Sequence, residues 1–295
     1  MSGLTISNLT VTIGGVRVVD GVDLTVPAGG TLVLVGESGS GKSVTVRAAL
    51  GLLGRRAAVT GTATFGGVDA ARVRGRSIGL VAQDPTTALD PLRRVGAQIA
   101  EVLRHHRTGG DPVALLARAG VPDPARVARA YPHELSGGLR QRALIAVATA
   151  CDPELVVADE ATSALDPGAA ERVLALLTRR SLLLVTHDVG VARRLGGARE
   201  TVVAVMYAGR IVEQGPAAAV LSAPRHPYTR GLLAAEPAPG VPRGALPVIP
   251  GRPPEPGERP AAGCAFAPRC ALARDVCLRA RPEPAGGTHR AACHV

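Results

Sequence analysis

Residues 33–43 read VLVGESGSGKS and contain Lys42, the only lysine among the 34 lysine and arginine residues of the chain. Gly36, Gly41, Lys42 and Ser43 fit the pattern G-x-x-x-x-G-K-[ST], between an apolar run and a helical pattern. In such a loop, backbone N–H groups and the ammonium bind phosphates, and the serine hydroxyl binds Mg²⁺. Lysine suits this position because its charge is compact, whereas a guanidinium is broad and planar. The sequence predicts a nucleoside triphosphate site, whose loop contacts are Gly36, Glu37, Ser38, Gly39, Ser40, Gly41, Lys42, Ser43 and Val44.

The elements that must position this loop alternate between short apolar runs and longer helical patterns. The runs predicted as strands are Thr31–Val35, Ile78–Ala82, Leu155–Ala158, Leu182–Thr186 and Val202–Tyr207. The patterns predicted as helices are Lys42–Leu53, Leu139–Ala150 and Gly168–Thr178. Apolar strands that alternate with helices are typical of a mostly parallel sheet covered on both faces. We therefore predict an α/β fold.

The segments outside these strands and helices predict an antiparallel β-segment, a helical subdomain and a C-terminal extension. Leu4–Val26 is typical of antiparallel strands, with turns expected around Gly14-Gly15 and Gly21. Residues 84–135 are polar, interrupted by prolines and helical in pattern, so they predict an inserted helical subdomain, which extends over about residues 84–145. Nine prolines fall in the 24 residues 237–260, too many for a helix or a central strand. We predict one domain over residues 1–232, then a proline-rich arm and a cysteine-rich extension over residues 233–295.

Composition and charge exclude some classes of protein. No uninterrupted apolar run approaches the roughly 18 residues of a membrane span, and no secretory leader is visible, so we expect a cytoplasmic location. The formal charge of +10 could attract nucleic acid or an anionic membrane. The longest basic runs are only pairs, and aromatic residues that could stack on bases make up 2% of the chain. We interpret the charge as dispersed, solvated arginine.

Several motifs together indicate a family. VAQDPTTALDP (81–91), ELSGGLRQR (134–142), LVVADEATSALD (155–166) and LLLVTHD (182–188) follow the phosphate loop in the order found in ATP-binding subunits of ABC transporters, which the chain resembles. GESGSGKSVT, YPHELSGGLRQR, HPYTRGLL and GCAFAPRC resemble the oligopeptide, dipeptide and nickel importer branch, and within it the subunit whose phosphate loop continues with Val-Thr. The resemblance implies a P-loop NTPase with an antiparallel N-terminal β-subdomain, a helical subdomain and a C-terminal extension.

The resemblance also implies roles for individual residues. Asp159 would hold Mg²⁺ through water, together with Ser43, and Glu160 would orient and deprotonate the attacking water. His187 would contact the γ-phosphate and that water. Gln83 would sense Mg²⁺ and the membrane subunits. The catalytic residues implied are Glu160, His187 and Lys42, and the cofactors are ATP and Mg²⁺.

A second half of the ATP site is implied at the start of the predicted helix that follows LSGG. Backbone amides of Ser136, Gly137 and Gly138 would receive a phosphate of ATP bound to an opposing subunit. Hydrolysis would then need a dimer, with SALD (Ser163–Asp166) at its interface and Asp166 among the nucleotide-binding residues. A sister ATPase is the expected dimer partner.

The resemblance implies that the chain drives uptake of peptides or a related solute such as nickel. Its partners would be two membrane permeases and, indirectly, an external solute-binding protein, at the cytoplasmic face of the inner membrane. Two alternatives stay open: a non-transport ABC ATPase that acts on nucleic acid, motivated by the +10 charge, and a non-hydrolysing structural partner.

The sequence departs from the family pattern in three places. Ile13 stands near the position where an aromatic residue usually stacks on adenine, so adenine packing there would be aliphatic. Ala161 stands where proline is usual. Only TRRS (178–181) separates the helix around Glu171 from the next strand, which predicts that this helix ends early.

Four cysteines in the extension have the spacing C-x5-C-x6-C-x15-C: Cys264, Cys270, Cys277 and Cys293. Disulfides are rare in a reducing cytoplasm, so soft thiolates here suggest an iron–sulfur cluster or tetrahedral zinc, with free thiols as the third alternative. Resemblance to the family favours a [4Fe–4S] cluster. His289 and His294 are interpreted as solvated rather than as spare ligands, and Cys151 as a packing residue.

Overall fold

In the computed structural model of the protein, the structure describes residues 3–162, 165–197, 199–236 and 246–295. The chain forms two compact units. The helical unit contains Ala28–Gly30 and Phe65–Leu184, and the phosphate-loop unit contains Leu4–Pro27, Thr31–Thr64 and Val185–Val295. Ser163 and Ala164 of the SALD motif and residues 237–245 of the proline-rich stretch lie outside the described residues.

Strands and helices alternate along most of the chain. The strands are β1 (Leu4–Ile13), β2 (Val16–Val26), β3 (Thr31–Val35), β4 (Ala57–Phe65), β5 (Val68–Asp69), β6 (Ile78–Val81), β7 (Leu155–Asp159), β8 (Ser181–Thr186), β9 (Thr201–Tyr207), β10 (Arg210–Pro216) and β11 (Arg290–Ala291). The helices are α1 (Lys42–Ala49), α2 (Ala70–Val73), α3 (Pro85–Ala88), α4 (Val95–His105), α5 (Pro112–Arg118), α6 (Pro124–Arg129), α7 (Gly137–Ala148), α8 (Pro167–Leu177), α9 (Val189–Leu195), α10 (Ala217–Ser222), α11 (Pro227–Ala234) and α12 (Asp275–Arg279).

The phosphate-loop unit opens with the predicted antiparallel hairpin. Strands β1 and β2 pair from Leu4 opposite Val26 to Ile13 opposite Val16, around the Gly14-Gly15 turn. The turn expected at Gly21 is wrong, because β2 continues through that residue. The pairing register shifts beside it, and the Gly21 N–H donates to the Thr10 hydroxyl, so Gly21 occupies an irregularity within the strand.

The core of the same unit is the buried strand β3, whose five residues are all buried. Strand β3 pairs in parallel with β9, which pairs antiparallel with β10. Helix α1 follows β3 but ends at Ala49, short of the predicted Leu53. The reason is a Schellman motif: Gly51, with φ of 63°, donates to the Ala48 carbonyl and Leu52 donates to the Arg47 carbonyl.

In the helical unit, β6 and β7 form a parallel pair, as expected in a mostly parallel sheet, and β7 lies between β6 and β8. Every residue of β7 is buried, which explains its continuous apolar sequence. Asp-Pro pairs start four of the described helices, because each aspartate caps the backbone and each proline occupies the first turn. These caps are Asp84 before α3, Asp111 before α5, Asp123 before α6 and Asp166 before α8. Helix α8 ends at Leu177, one residue before the predicted end.

The C-terminal segment is part of the phosphate-loop unit. Strand β11 pairs antiparallel with β10, placing Glu213 opposite Ala291. The buried Glu213 carboxylate accepts from the backbone N–H of Arg225 at 2.7 Å and of His226 at 2.9 Å, and lies 2.7 Å from His289 Nε2. His289 is only 8% exposed, so its interpretation as solvated is wrong: the carboxylate compensates for its burial.

Among the described residues, no helix is both long and apolar enough to cross a membrane.

His226 predicts a pH-dependent part of the stability. Its Nδ1 accepts from the Tyr228 N–H at 3.0 Å and caps α11, and burial lowers its pKa from 6.5 to about 4 despite the nearby Glu213. The folded protein therefore binds fewer protons than the unfolded chain between these values. This contribution to stability is complete above pH 6.5 and is lost as the pH falls toward 4, by about 3 kcal/mol.

We expect His226→Asn to reduce this acid sensitivity, because asparagine also caps a helix but does not titrate. Urea unfolding at several pH values would show a steeper loss in the wild type between pH 6.5 and 4. The exposed His105→Asn should keep the wild-type slope. Equal slopes in all three proteins would show that His226 is not the group responsible.

Candidate functional site

The phosphate loop connects β3 to α1 and is fixed by close backbone approaches within its unit. Gly36 has φ of 154°, and a Cβ atom there would lie 2.2 Å from the Met206 carbonyl oxygen. Gly41, with φ of 108°, would place a Cβ 3.0 Å from Met206 Cε. The Gly209 N–H donates to the Ser40 carbonyl at 2.8 Å. Gly36 is therefore required by space as well as by backbone conformation, and Gly41 by its left-handed backbone conformation.

Lys42 lies in the first turn of α1 and is only 6% exposed. Its Nζ donates to the carbonyl oxygens of Gly36 at 2.7 Å and Glu37 at 2.9 Å, and it lies 3.4 Å from Ser40 Oγ. The ammonium group is thus held by oxygens of the loop itself. A triphosphate would offer stronger, charged acceptors to the same group.

Strand β7 ends in the helical unit at Asp159, which is 2% exposed, and Glu160 follows directly. Glu160 has φ of 50°, a left-handed conformation that is unfavourable for a residue with a side chain. Gln83 follows β6, and its Nε2 donates to Glu160 Oε2 at 3.4 Å. The parallel neighbours β6 and β7 thus bring two of the predicted residues together at their carboxyl ends.

His187 follows β8 in the phosphate-loop unit, and its side chain is exposed. The next residue, Asp188, caps α9 by accepting from the Gly190 N–H at 2.8 Å. His187 therefore lies at a strand end, as predicted, with a helix start fixing the backbone after it.

The start of α7 carries the LSGG motif in the helical unit. Ser136 caps this helix by accepting from the Leu139 N–H at 3.4 Å. Ser136 and Gly137 are exposed, and a Cβ atom on Gly137 would meet nothing within 4 Å. Asp166 caps α8 by accepting from the Ala169 N–H at 2.9 Å. Within this unit the first turn of α7 is accessible to an anion.

Two residues that depart from the family pattern, Ile13 and Ala161, differ in their exposure to solvent. Ile13 and Val16 flank the Gly14-Gly15 turn and are 36% and 39% exposed, so this hairpin presents aliphatic surface. Ala161 is fully buried after Glu160.

All four cysteines of the extension line one small enclosed cavity, together with Phe266. Burial raises the pKa of the Cys264 and Cys270 thiols, and the neighbouring Cys277 and Cys293 raise both further. No group of three or more His, Cys, Asp or Glu side chains in the described part of the chain is arranged to hold a metal ion. The cavity thus has a four-sulfur donor set, but these side chains are not in ligating positions. His294 lies 2.9 Å from the Ala280 carbonyl oxygen, and Cys151 contacts Thr108.

The structure also shows contacts to the phosphate loop that the sequence did not predict. Glu37 donates its N–H to the Tyr228 hydroxyl at 2.8 Å, and its carboxylate pairs with Arg269. Both partners lie in motifs that carry the family resemblance, HPYTRGLL and GCAFAPRC, whose pattern alone indicates no chemical role. The presence of Tyr228 and Arg269 in these two motifs was the signal from which a functional role could have been suspected.

Two family models match the chain. The model described as ABC transporter matches residues 19–163, which include the phosphate loop, Gln83, the LSGG motif and Glu160. The model described as oligopeptide/dipeptide transporter, C-terminal region, matches residues 212–277, which include Tyr228 and Arg269.

Relatives match most of the chain. A peptide import ATP-binding protein of Brucella melitensis biotype 1 is 44% identical, and the match covers 90% of this chain and 86% of the relative. A protein of the same description from Brucella abortus strain 2308 is 41% identical, with 95% and 90% covered.

Solved structures agree in fold. The dimeric structure of MJ0796, a bacterial ABC transporter cassette, is 25% identical with a TM-score of 0.62, covering 72% of this chain and 98% of that one. A dimeric post-hydrolysis state of MJ0796 bound to ADP and Pi gives a TM-score of 0.63 at 24% identity. These matches confirm the predicted fold class and the family resemblance. The chain belongs to the ABC transporter family of ATP-binding proteins and is an ATPase of that family.

Proposed function

We propose that this ATPase drives the uptake of small peptides through a membrane importer. The observation that carries the proposal is the presence, in one chain, of an ABC ATPase segment and the oligopeptide/dipeptide transporter C-terminal region. The names of the relatives, peptide import ATP-binding proteins at 41–44% identity, support it. A related solute such as nickel is the alternative to a peptide. This subunit would not itself contact the solute, so its residues do not distinguish the two.

The proposed ATP site uses the loop and strand-end residues. Backbone N–H groups of residues 36–44 bind the phosphates, and Lys42 contacts the β- and γ-phosphates. Ser43, Asp159 and Gln83 offer the hard oxygen ligands that Mg²⁺ prefers, and the metal would neutralise phosphate charge. Glu160 orients and deprotonates water, and the strained backbone of this residue is consistent with a catalytic position. His187 contacts the γ-phosphate.

The exposed start of α7 supports a dimeric mechanism. Ser136, Gly137 and Gly138 bind the ATP of an opposing subunit, which we propose to be a sister ATPase. Two permeases hold the pair at the cytoplasmic face of the inner membrane, and an external binding protein delivers the peptide. Ile13 and Val16 give the adenine an aliphatic contact in place of an aromatic one.

Action on nucleic acid is the alternative, and the pairing of surface arginines weighs against it. Arg17 and Arg210 pair with Asp20, and Arg252 pairs with Glu258, so part of the basic charge is compensated locally. ATP turnover that responds to DNA but not to a peptide-loaded binding protein and permeases would favour the alternative.

We expect Glu160→Gln to abolish peptide uptake and to lower ATP turnover about 10²–10⁴-fold, because the variant loses the general base. ATP binding should persist, since the phosphate loop is unchanged. Turnover and uptake by the assembled importer, together with ATP affinity, would check this. The nearby Glu154→Gln serves as the control, and unchanged turnover in Glu160→Gln would refute the base assignment.

We expect Lys42→Ala to weaken ATP binding about 10- to 100-fold, because one charged hydrogen-bonding contact to the phosphates is lost. Titration of the purified chain with ATP would measure this. Arg47→Ala, on the same helix, should bind ATP as the wild type does. Tight retention of ATP by Lys42→Ala would count against the loop as the ATP site.

We further propose that the cysteine cavity accepts a [4Fe–4S] cluster, supported by four thiols on one cavity and by the family resemblance. Such a cluster would supply a redox-active centre, and its insertion would require the cysteine side chains to turn toward one another.

Anaerobically purified protein should then contain equal iron and labile sulfide and show broad visible absorbance, both lost in Cys264→Ser and Cys293→Ser. Cys151→Ser, outside the extension, should keep the absorbance. Zinc without absorbance would indicate the tetrahedral alternative, and a blank metal analysis would indicate free thiols.

A further inference from the structure

We infer that Arg269 of the C-terminal extension is a positioning residue for ATP binding, which acts through Glu37 of the phosphate loop. This inference rests on the proposed ATP site and names a residue that governs its affinity. Arg269 neutralises a carboxylate that would otherwise repel the triphosphate.

The contact between the two residues is a bidentate ion pair. Arg269 Nη1 donates to Glu37 Oε2 at 2.7 Å, and Nη2 donates to Oε1 at 2.9 Å. The side chains are 5% and 26% exposed, so water screens the pair only weakly. Two parallel charged hydrogen bonds fix both distance and orientation.

Arg269 is itself held firmly within the extension. Its Nε donates to the Pro250 carbonyl at 2.8 Å, and Nη1 lies 3.3 Å from the Tyr207 hydroxyl. The guanidinium also lies 5.8 Å from the ring centroids of Tyr207 and Phe266. The Glu37 pair is the largest cause that raises the pKa of Arg269, so this side chain stays charged. Its position is therefore set before ATP binds.

The surroundings of this pair are unusual for the chain. The whole sequence contains only three tyrosines and two phenylalanines. Tyr207, Tyr228 and Phe266 pack against one another there, with ring centroids 4.6–5.4 Å apart. Three of the five aromatic side chains thus form the wall behind one residue of the phosphate loop. Such rings restrict the motion of the groups they enclose.

All the polar groups of Glu37 are engaged. Its N–H donates to Tyr228, its carbonyl accepts from Lys42, and its carboxylate binds Arg269. The loop residue that accepts from Lys42 is consequently tied to the extension. A free carboxylate at this position would oppose the negative charge of ATP, since charges a few ångströms apart interact strongly in a partly buried site. Arg269 removes that opposition.

A purely structural role makes a different prediction from a charge-neutralising role. Glu37→Gln and Arg269→Gln break the same ion pair, so a structural role predicts the same loss of affinity from both. Charge neutralisation predicts opposite changes. Arg269→Gln leaves an unpaired carboxylate beside the triphosphate, whereas Glu37→Gln leaves an unpaired guanidinium.

The test is titration of the full-length variants with ATP. We expect Arg269→Gln to weaken binding about tenfold, Glu37→Gln to bind at least as tightly as the wild type, and Glu37→Gln/Arg269→Gln to recover most of the loss. Arg269→Lys, which keeps the charge, should stay close to the wild type. Arg252→Gln breaks another bidentate pair of the extension, with Glu258 at 2.9 and 2.6 Å, and should leave the affinity for ATP unchanged.

Wild-type affinity in Arg269→Gln, or equal losses in both single variants, would overturn the inference. Thermal unfolding without nucleotide identifies variants that fail to fold. If Arg269→Gln fails to fold, the ATP affinities of Glu37→Gln and Arg269→Lys decide between the charge-neutralising role and the structural role. Lys42→Ala, titrated in parallel, separates the two proposals. If Lys42→Ala binds ATP normally, the proposed site itself fails. If only the Arg269 and Glu37 variants behave otherwise than expected, only this inference fails.

Discussion

The constraint on which the phosphate-loop unit depends is the environment of Glu37, where the loop meets the C-terminal segment. A phosphate-binding loop must present N–H groups outward, so its carbonyl oxygens and any acidic side chain need partners behind it. Lys42, Tyr228 and Arg269 provide those partners. Gly36 can occupy its position only because it lacks a Cβ atom beside the Met206 carbonyl. The loop is therefore shaped by the strand beneath it and by a segment more than 180 residues away in sequence.

Patterns that repeat locally were predictable from the sequence, whereas partners distant in sequence were not. Strand β3 matches its predicted bounds, Thr31–Val35, because a buried parallel strand must be apolar throughout. The end of α1 was predicted too late, because the apolar pattern continues to Leu53, whereas Gly51 adopts the left-handed conformation that ends the helix at Ala49. The turn predicted at Gly21 was wrong for the opposite reason: the strand continues there, because glycine also occurs at irregularities inside strands.

The same distinction holds at the site. Roles could be proposed for Lys42, Ser43 and Glu160 because the spacing of residues within their motifs indicates a chemistry. Arg269 could not, because one arginine among 33 carries no local signal of its partner. His289 was misjudged for a similar reason. Only the fold shows that His289 contacts Glu213, whose carboxylate also accepts hydrogen bonds from two backbone N–H groups. Buried contacts between polar side chains are properties of the tertiary structure, which neither periodicity nor composition records.

The single lysine and the few aromatic residues of the chain can be explained by where they lie in the structure. Arginine serves wherever a broad cation is adequate, including the bidentate pair with Glu37, for which a planar fork is the better partner. Lysine appears once, where a slim ammonium must lie among loop carbonyls. Aromatic residues are equally rare, yet three of them form the wall behind Glu37, while the hairpin at Ile13 has none. A chain that relies mainly on aliphatic packing thus concentrates its rigid rings behind its phosphate loop, where a small displacement would move the groups that we propose to bind ATP.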